Sequence, residues 1–272
     1  MKVLYIISLS HSGSTLLDVM LNAHPKIFSA GELKQLNRFA HLEKATSRHN
    51  RCTCRAETVW TCPVWSKVNV YAEKEIGRNL GALNVENYKA GASFNRDNVA
   101  LFKGIAAATK KQFIVDSSKQ WNRLRLLIAN PKIDVFPIFL LRNPKGQIWS
   151  SMRKRKSNLG KFIHRYVASN RVSYNVVKDI PHAVVHYEDL VQRPEETLRN
   201  LLKPLGLDFD PRQLDWTAEL RHNVGGNRMR WNKQSVLSLD ETWRQGLTLV
   251  QKLAIDAGTL PGRYPFIRLG FR

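Results

Sequence analysis

The first twenty residues constrain this chain most. Val3-Leu4-Tyr5-Ile6-Ile7-Ser8 reads as a buried strand, Leu9-Ser10-His11-Ser12-Gly13-Ser14-Thr15 as a turn rich in small hydroxyl residues, and Leu16-Leu17-Asp18-Val19-Met20-Leu21 as the helix it opens. Such a turn is an anion cradle. N–H groups at a helix start lack intrahelical partners, the macrodipole favours negative charge there, and Gly13 lets a phosphate come close. It is not an ATPase loop of the Gly-x-x-x-x-Gly-Lys-Ser/Thr kind, because Ser8 stands at the first glycine and Ser14 at the lysine. The competing reading is an ordinary capped helix start, since Ser, Thr and Gly are common at caps.

Strand-like runs recur at Val3–Ser8, Phe113–Asp116, Val135–Arg142 and Ala183–His186, with helical patterns between them. That alternation predicts an α/β fold, a P-loop-like three-layer α/β/α arrangement around a central parallel sheet. At 272 residues and 43% hydrophobic content, one domain over 1–272 is expected. Asn143-Pro144 supplies a cap and a first-turn proline, so a helix is predicted from Pro144 to about Lys156. Arg193-Pro194-Glu195-Glu196 starts another that stops near Gly206, and Thr248–Ala257 reads as a last amphipathic helix. His41–Asn98 is less regular and is read as a cysteine-containing insertion, around 41–98.

Forty-three Lys plus Arg against twenty-two Asp plus Glu leave a net charge of +21. Such a bias speaks of partners: an anionic ligand, a polyanion or an acidic membrane surface. The opening apolar run is too short for a secretory signal, and no window has the length to span a bilayer. A cytoplasmic protein is expected, with peripheral membrane contact left open and oligomeric state undetermined. Cys52, Cys54 and Cys62 lie within eleven residues, with His49 nearby. Together they suggest a four-ligand zinc site, but Cys-x-Cys spacing strains a tetrahedron compared with Cys-x-x-Cys. Reduced thiols packed in the insertion, without a metal, are the expected state.

A second phosphate-type element lies downstream. Arg142 ends a buried strand, where open α/β sheets place their ligands, and its guanidinium is a planar fork for phosphate. Ser150 follows the Asn143 cap by seven positions, two turns on and on roughly the same helix face. The alternative is an arginine capping a neighbouring carbonyl.

These two elements, Leu9–Leu17 and Leu141-Arg142-Asn143-Pro144-Lys145-Gly146-Gln147-Ile148-Trp149-Ser150-Ser151-Met152-Arg153, resemble the nucleotide-binding signatures of sulfotransferases that use 3′-phosphoadenosine 5′-phosphosulfate (PAPS). The resemblance continues through Tyr187-Glu188-Asp189-Leu190, Pro194-Glu195, Leu205-Gly206-Leu207 and Gly225-Gly226-Asn227-Arg228-Met229-Arg230. It implies that Ser10, His11, Ser12, Gly13, Ser14 and Thr15 grip the 5′-phosphosulfate and that Arg142 and Ser150 grip the 3′-phosphate. Asn227, Arg228 and Arg230 would then close over that phosphate, and the product would be 3′-phosphoadenosine 5′-phosphate.

Sulfuryl transfer needs a nucleophile in line with the leaving phosphate, a base, and positive charge at the bridging oxygen. Glu32 is the candidate base: it follows His11 by twenty-one residues, a spacing similar to that of the catalytic glutamate in tyrosylprotein sulfotransferases. Otherwise it serves as a charge at the start of the next helix. His11 replaces the Lys or Arg found there in most of the family, and an imidazole is cationic only near or below pH about 6.5 unless its surroundings raise it. Lys119 is the candidate for the missing permanent charge. The expected function is sulfuryl transfer from PAPS to a hydroxyl, or less readily an amine, of a carbohydrate, lipid, peptide or small molecule. The rivals are a P-loop nucleotide kinase or phosphotransferase, opposed by the absent loop lysine, and a basic nucleic-acid-binding protein, which leaves two spaced phosphate elements unexplained.

Overall fold

Val3 to Ile7 have no exposed surface, as a strand covered on both faces requires. They form the middle of β1 (Lys2–Ser8). The computed structural model describes residues 1–41, 51–85, 91–232 and 234–260. In it β1 is the central strand of a five-stranded parallel sheet ordered β2-β3-β1-β4-β5, with β2 at Ile27–Gly31, β3 at Phe113–Lys119, β4 at Asp134–Leu141 and β5 at Ala183–His186. The α/β fold read from the alternation of elements is therefore present.

Four of the strands sit where the apolar runs placed them. β2 was not anticipated: it is five residues of Ile-Phe-Ser-Ala-Gly, too short and too rich in small residues to carry a strand pattern. It pairs with β3 from Ile27↔Phe113 to Ser29↔Val115, then Gly31↔Asp116, so one residue bulges out at its end. A bulge at that place re-aims the chain that follows. β4 pairs with β5 from Ile138↔Ala183 to Leu141↔His186, starting just after Pro137, which has no N–H to give.

The chain groups into two compact units. The first comprises Met1–Ile6, Thr15–Phe136 and Asp210–Ser235. It contains most of α1 (Ser14–Asn22), then α2 (Leu36–Ala40), α3 (Trp65–Ile76), α4 (Ala92–Thr109) and α5 (Trp121–Ile128). The stretch expected to be irregular thus holds a twelve-residue helix and the start of an eighteen-residue one. They pack closely at Gly104, where a Cβ would lie 3.2 Å from both Val68 and Tyr71. The fully buried Asp116–Arg123 pair, Nε to Oδ2 at 3.0 Å, ties β3 to α5.

The second unit comprises Ile7–Ser14, Pro137–Phe209 and Val236–Arg272. Its helices are α6 (Pro144–Met152), α7 (Leu159–Val177), α8 (Tyr187–Gln192), α9 (Pro194–Leu202), α10 (Trp243–Gly246) and α11 (Leu249–Gly258). α6 ends at Met152 rather than near Lys156. Four consecutive cations at Arg153–Lys156 repel one another, and Asn158 caps the next helix through the Lys161 N–H at 2.8 Å. α9 gives way to a 3-10 turn at Lys203–Leu205 and then Gly206 at φ +67°, as the sequence suggested. A Thr248/Gln251 capping box starts α11. Among the described residues no helix is long and apolar enough to cross a membrane.

Gly31 ends β2 at φ +78°, and a Cβ there would lie 2.2 Å from the Val224 carbonyl oxygen. Gly31→Ala is expected to lower stability by roughly 2–4 kcal/mol, combining left-handed backbone strain with overpacking. Urea denaturation reads this as a lower midpoint, and an unchanged midpoint would show that the turn relaxes freely.

Candidate active site

In the second unit, the loop after β1 and the head of α6 are joined by direct hydrogen bonds. Arg142 follows β4 and is buried. Its Nη1 donates to the His11 carbonyl at 2.9 Å, and its Nη2 donates to the Asp240 carbonyl at 3.1 Å and to Asp240 Oδ2 at 2.9 Å. The guanidinium lies 4.5 Å from the centre of the Tyr187 ring, and Tyr166 donates to the Arg142 carbonyl at 2.8 Å. One turn further on, Gln147 Nε2 donates to the Ser10 carbonyl at 2.9 Å. Asn143 caps α6 by accepting the Lys145 N–H at 2.9 Å and donates its own N–H to Glu188 at 3.0 Å. Ser150 lies half-buried on the same helix.

The loop itself turns through left-handed residues, His11 at φ +69° and Gly13 at φ +89°. A Cβ at Gly13 would stand 2.4 Å from Tyr187 Cδ2, so the position admits only glycine without displacing that ring. Ser12 and Ser14 are buried, Ser10 is exposed, and the Ser8 hydroxyl is buried without a hydrogen-bond partner.

In the first unit, the bulge at the end of β2 delivers Glu32 into a cluster of cations. Lys119 Nζ donates to Glu32 Oε1, Gln35 Nε2 donates to Oε2 at 2.8 Å, and Lys34 Nζ lies 3.5 Å from Oε2. Lys119 reaches this place from the left-handed last residue of β3, at φ +68°. Burial alone would raise the Glu32 carboxyl, but Lys119 and Lys34 outweigh it and hold the group below the ordinary carboxylate range. Lys34 is pushed down by burial, against the pull of Glu32. The main chain is pinned as well: Val224 donates to the Ala30 carbonyl at 3.0 Å, and Glu32 N–H donates to the Val224 carbonyl at 2.7 Å.

Behind this cluster, Asp18 on α1 accepts from Ser29 Oγ at 2.6 Å and from Asn223 Nδ2 at 2.9 Å. Burial pushes its carboxyl up to about 6, against the hydrogen bonds of Ser29 and Ser117. In the late glycine-containing loop, Asn227 N–H donates to Thr15 Oγ1 at 3.4 Å, and Asn227 and Arg228 are exposed. Arg230 is different. It is buried, its guanidinium donates to the Asn223 and Arg51 carbonyls at 3.2 and 3.1 Å, and burial lowers it to about 10.

The structure thus brings Ser10, His11, Gly13 and Arg142 into one cluster and Glu32 and Lys119 into another. Lys119, the residue expected to supply a permanent charge, pairs its ammonium with Glu32. Sequence reasoning passed over Lys34, Gln35 and Asp240, and quoted Tyr187 only as part of the resemblance, with no role. A single lysine in a chain of net charge +21 carries no signal, and Asp240 lies ninety-eight positions from the arginine it meets.

Residues 4–211 match the sulfotransferase family. The chain belongs to that family, whose members are enzymes that use PAPS. Among solved structures it is similar to the sulfotransferase domain of the Synechococcus PCC 7002 olefin synthase, at 22% identity and TM-score 0.61 with 94% of each chain covered. It is also similar to the sulfotransferase domain of the curacin biosynthetic pathway, at 18% identity and TM-score 0.59 over 94% of this chain and 96% of that one. Sulfotransferase STF9 from Mycobacterium avium matches at 11% identity and TM-score 0.51, over 96% and 76%. At these identities the likeness is one of fold. No curated protein matches the sequence.

Asp18 and Glu32 titrate with opposite consequences for stability. The Asp18 carboxyl rises from 3.8 to about 6 on folding, so between those values the folded state keeps a proton the unfolded state has lost, and stability falls as pH rises. Glu32, held low, contributes stability above its unfolded value of 4.5 and loses it as pH falls through the folded value. Chemical denaturation of Asp18→Asn is expected to show a flattened slope between pH 4 and 6. An unchanged slope there would mean that another group holds the proton.

Proposed function

We propose that this chain transfers the sulfuryl group of PAPS to a hydroxyl, less readily an amine, of its acceptor, with Glu32 as the base. One observation carries the reading: the Arg142 guanidinium lies on the His11 carbonyl across 131 positions of sequence, so the two phosphate-type elements form a single cluster. Capping the His11 carbonyl alone would be a structural role; the Asp240 carboxylate on Nη2 of the same guanidinium adds an anion-binding edge beside the hydroxyl-lined loop.

The residues fit an anionic nucleotide. Gly13 holds a conformation only glycine adopts freely, the loop is lined by hydroxyls, and the buried Ser8 hydroxyl lacks a partner. Ser10, His11, Ser12, Gly13, Ser14 and Thr15 would hold the 5′-phosphosulfate. Arg142 and Ser150 would hold the 3′-phosphate, with Asn227 and Arg228 closing over it. Asp240 already places a carboxylate oxygen on Arg142 Nη2, so a phosphate binding there takes over a position of known anion geometry. Arg230, whose guanidinium donates to the Asn223 and Arg51 carbonyls as that of Arg142 does to the His11 and Asp240 carbonyls, would join Asn227 and Arg228 over that phosphate.

PAPS, when bound, supplies the activated sulfuryl group. Glu32 accepts the proton of the attacking hydroxyl, and Lys119 and Lys34 keep its carboxylate ionised for that task. The imidazole of His11 donates a proton or a hydrogen bond to the departing phosphate. The net charge of +21 favours an acceptor that is itself anionic, such as an acidic carbohydrate, lipid headgroup or peptide.

Thermal stability measured with 3′-phosphoadenosine 5′-phosphate, with ATP and magnesium, and with a mixed oligonucleotide separates this reading from its rivals: only the first is expected to raise the midpoint. Stabilisation by the oligonucleotide alone would remove the enzyme reading. Arg142→Ala is expected to weaken binding of the same nucleotide about 10–100-fold, the worth of one or two charged hydrogen bonds. Screening labelled PAPS against carbohydrate, lipid, phenol and peptide pools supplies the acceptor. With it, Glu32→Gln is expected to lower kcat by about 10²–10⁴ at near-normal nucleotide affinity, and full activity would discard Glu32 as the base. His11→Lys is expected to keep its activity at higher pH than the wild type, while His11→Ala is low throughout. Equal, pH-independent activities would show that charge is not what the position supplies.

A further inference from the structure

Within the first unit, Cys52, Cys54, Cys62 and His222 turn their ligand atoms toward one point, all within 4.8 Å of one another. The Cys62 sulfur lies 3.7 Å from that of Cys52 and 3.6 Å from that of Cys54, and 3.2 Å from His222 Nδ1. Zinc with Zn–S near 2.3 Å sets the sulfurs of a tetrahedron about 3.8 Å apart, and a thiolate about 3.5 Å from an imidazole nitrogen. A disulfide would need about 2.05 Å, and all three cysteines are free. An iron–sulfur cluster, whose cysteines ligate different irons, needs its thiolates farther apart than this. We propose that Cys52, Cys54, Cys62 and His222 form a structural zinc site.

The neighbouring residues hold these ligands in place. The Arg55 N–H donates to the Cys52 carbonyl at 2.9 Å, with Arg55 left-handed at φ +68°. That tight turn brings two cysteines one residue apart onto the same centre, which relieves the strain expected of Cys-x-Cys. Trp65 Nε1 donates to the His222 carbonyl at 2.8 Å, and the Asn223 N–H donates to Thr53 Oγ1 at 2.9 Å. These bonds hold the histidine segment against the cysteine segment, as outer partners of a metal site do. His49, the fourth ligand suggested by the sequence, lies outside the described residues. His222 takes that place from 160 positions beyond Cys62.

Three thiolates and one imidazole select zinc over the harder divalent ions, and four protein ligands leave no open position for catalysis. The complex carries one net negative charge, and Arg51, Arg55 and Arg221 flank the ligands in sequence. Two residues beyond His222, Val224 holds the main chain on both sides of Gly31. The metal therefore anchors the segment that fixes the end of β2.

The test uses the full chain, purified under reductant without chelator. Metal analysis is expected to find about one zinc per chain. Titrating the zinc-stripped wild type with cobalt is expected to give a thiolate-to-cobalt charge-transfer band and the ligand-field bands of a tetrahedral ion, saturating at one equivalent and bleached by zinc. His222→Ala is expected to lose at least about tenfold in zinc affinity. Hydrogen exchange at the Val224 and Glu32 amides is expected to quicken when zinc is stripped. Should variants at the cysteines fail to fold, the wild-type cobalt spectrum decides. Absence of a tetrahedral spectrum overturns the proposal, as does a disulfide between any two of the three cysteines in protein kept reduced, or unchanged zinc affinity in His222→Ala. None of these readouts depends on sulfuryl transfer or on Glu32 as a base.

Discussion

The first unit depends on a short piece of backbone pairing at the end of β2. Val224 runs parallel to Gly31, giving its N–H to Ala30 and taking that of Glu32. β2 leaves β3 through a bulge just there, so without a partner the chain after Ser29 would carry unpaired polar groups into a buried region. Val224 supplies that partner, and Gly31 permits it, because any side chain would strike the Val224 carbonyl. The Asp18–Ser29–Asn223 hydrogen bonds brace the same two segments from the side. Glu32 is thus positioned by its main chain before its side chain meets any cation.

Electrostatics then decides what Glu32 can do. A buried carboxylate met only by neutral hydrogen-bond donors keeps a proton to higher pH, as Asp18 does up to about pH 6. Glu32 is buried to a similar degree, yet two lysines keep it ionised. The two carboxylates differ in their neighbours rather than in their depth. In the role proposed for it, a carboxylate held low by cations would be a weak base but one that stays ionised, which suits a reaction whose barrier is lowered mostly by positioning and electrostatics. Lys34 and Gln35 sit in the 3-10 turn that begins directly after Glu32, so the local fold that positions the carboxylate also brings two of its partners.

The sheet was legible because its strands are buried on both faces and read as continuous apolar runs. β1 and β4 illustrate this, while β2 escaped because Ser29, Ala30 and Gly31 fill a tight place with small residues. The strand-turn-helix at Ser10–Thr15 and the cap at Asn143-Pro144 were legible because caps and turns have residue-specific chemistry. The partners of those residues were not. Asp240 on Arg142, Val224 on Glu32 and His222 beside Cys62 are set by tertiary contact between segments roughly a hundred or more positions apart, and nothing local in the sequence marks them. Arg230 is a further case. The loop that holds it resembles one that closes over a phosphate in the family, but nothing local marks that its guanidinium is buried on the Asn223 and Arg51 carbonyls.

His11 separates two roles that a sequence motif merges. Its backbone is left-handed, a conformation that costs an ordinary residue about 1–2 kcal/mol, and strain of that kind persists only where surrounding contacts hold it. The contact here is Arg142, which takes the His11 carbonyl as acceptor. Residue 11 therefore serves the arginine through its main chain, whatever side chain it bears, and that service also fixes where the side chain starts. A lysine or an arginine placed there would inherit the same backbone and the same starting point. The imidazole differs from those residues in the protonation of its ring, not in the architecture of the loop.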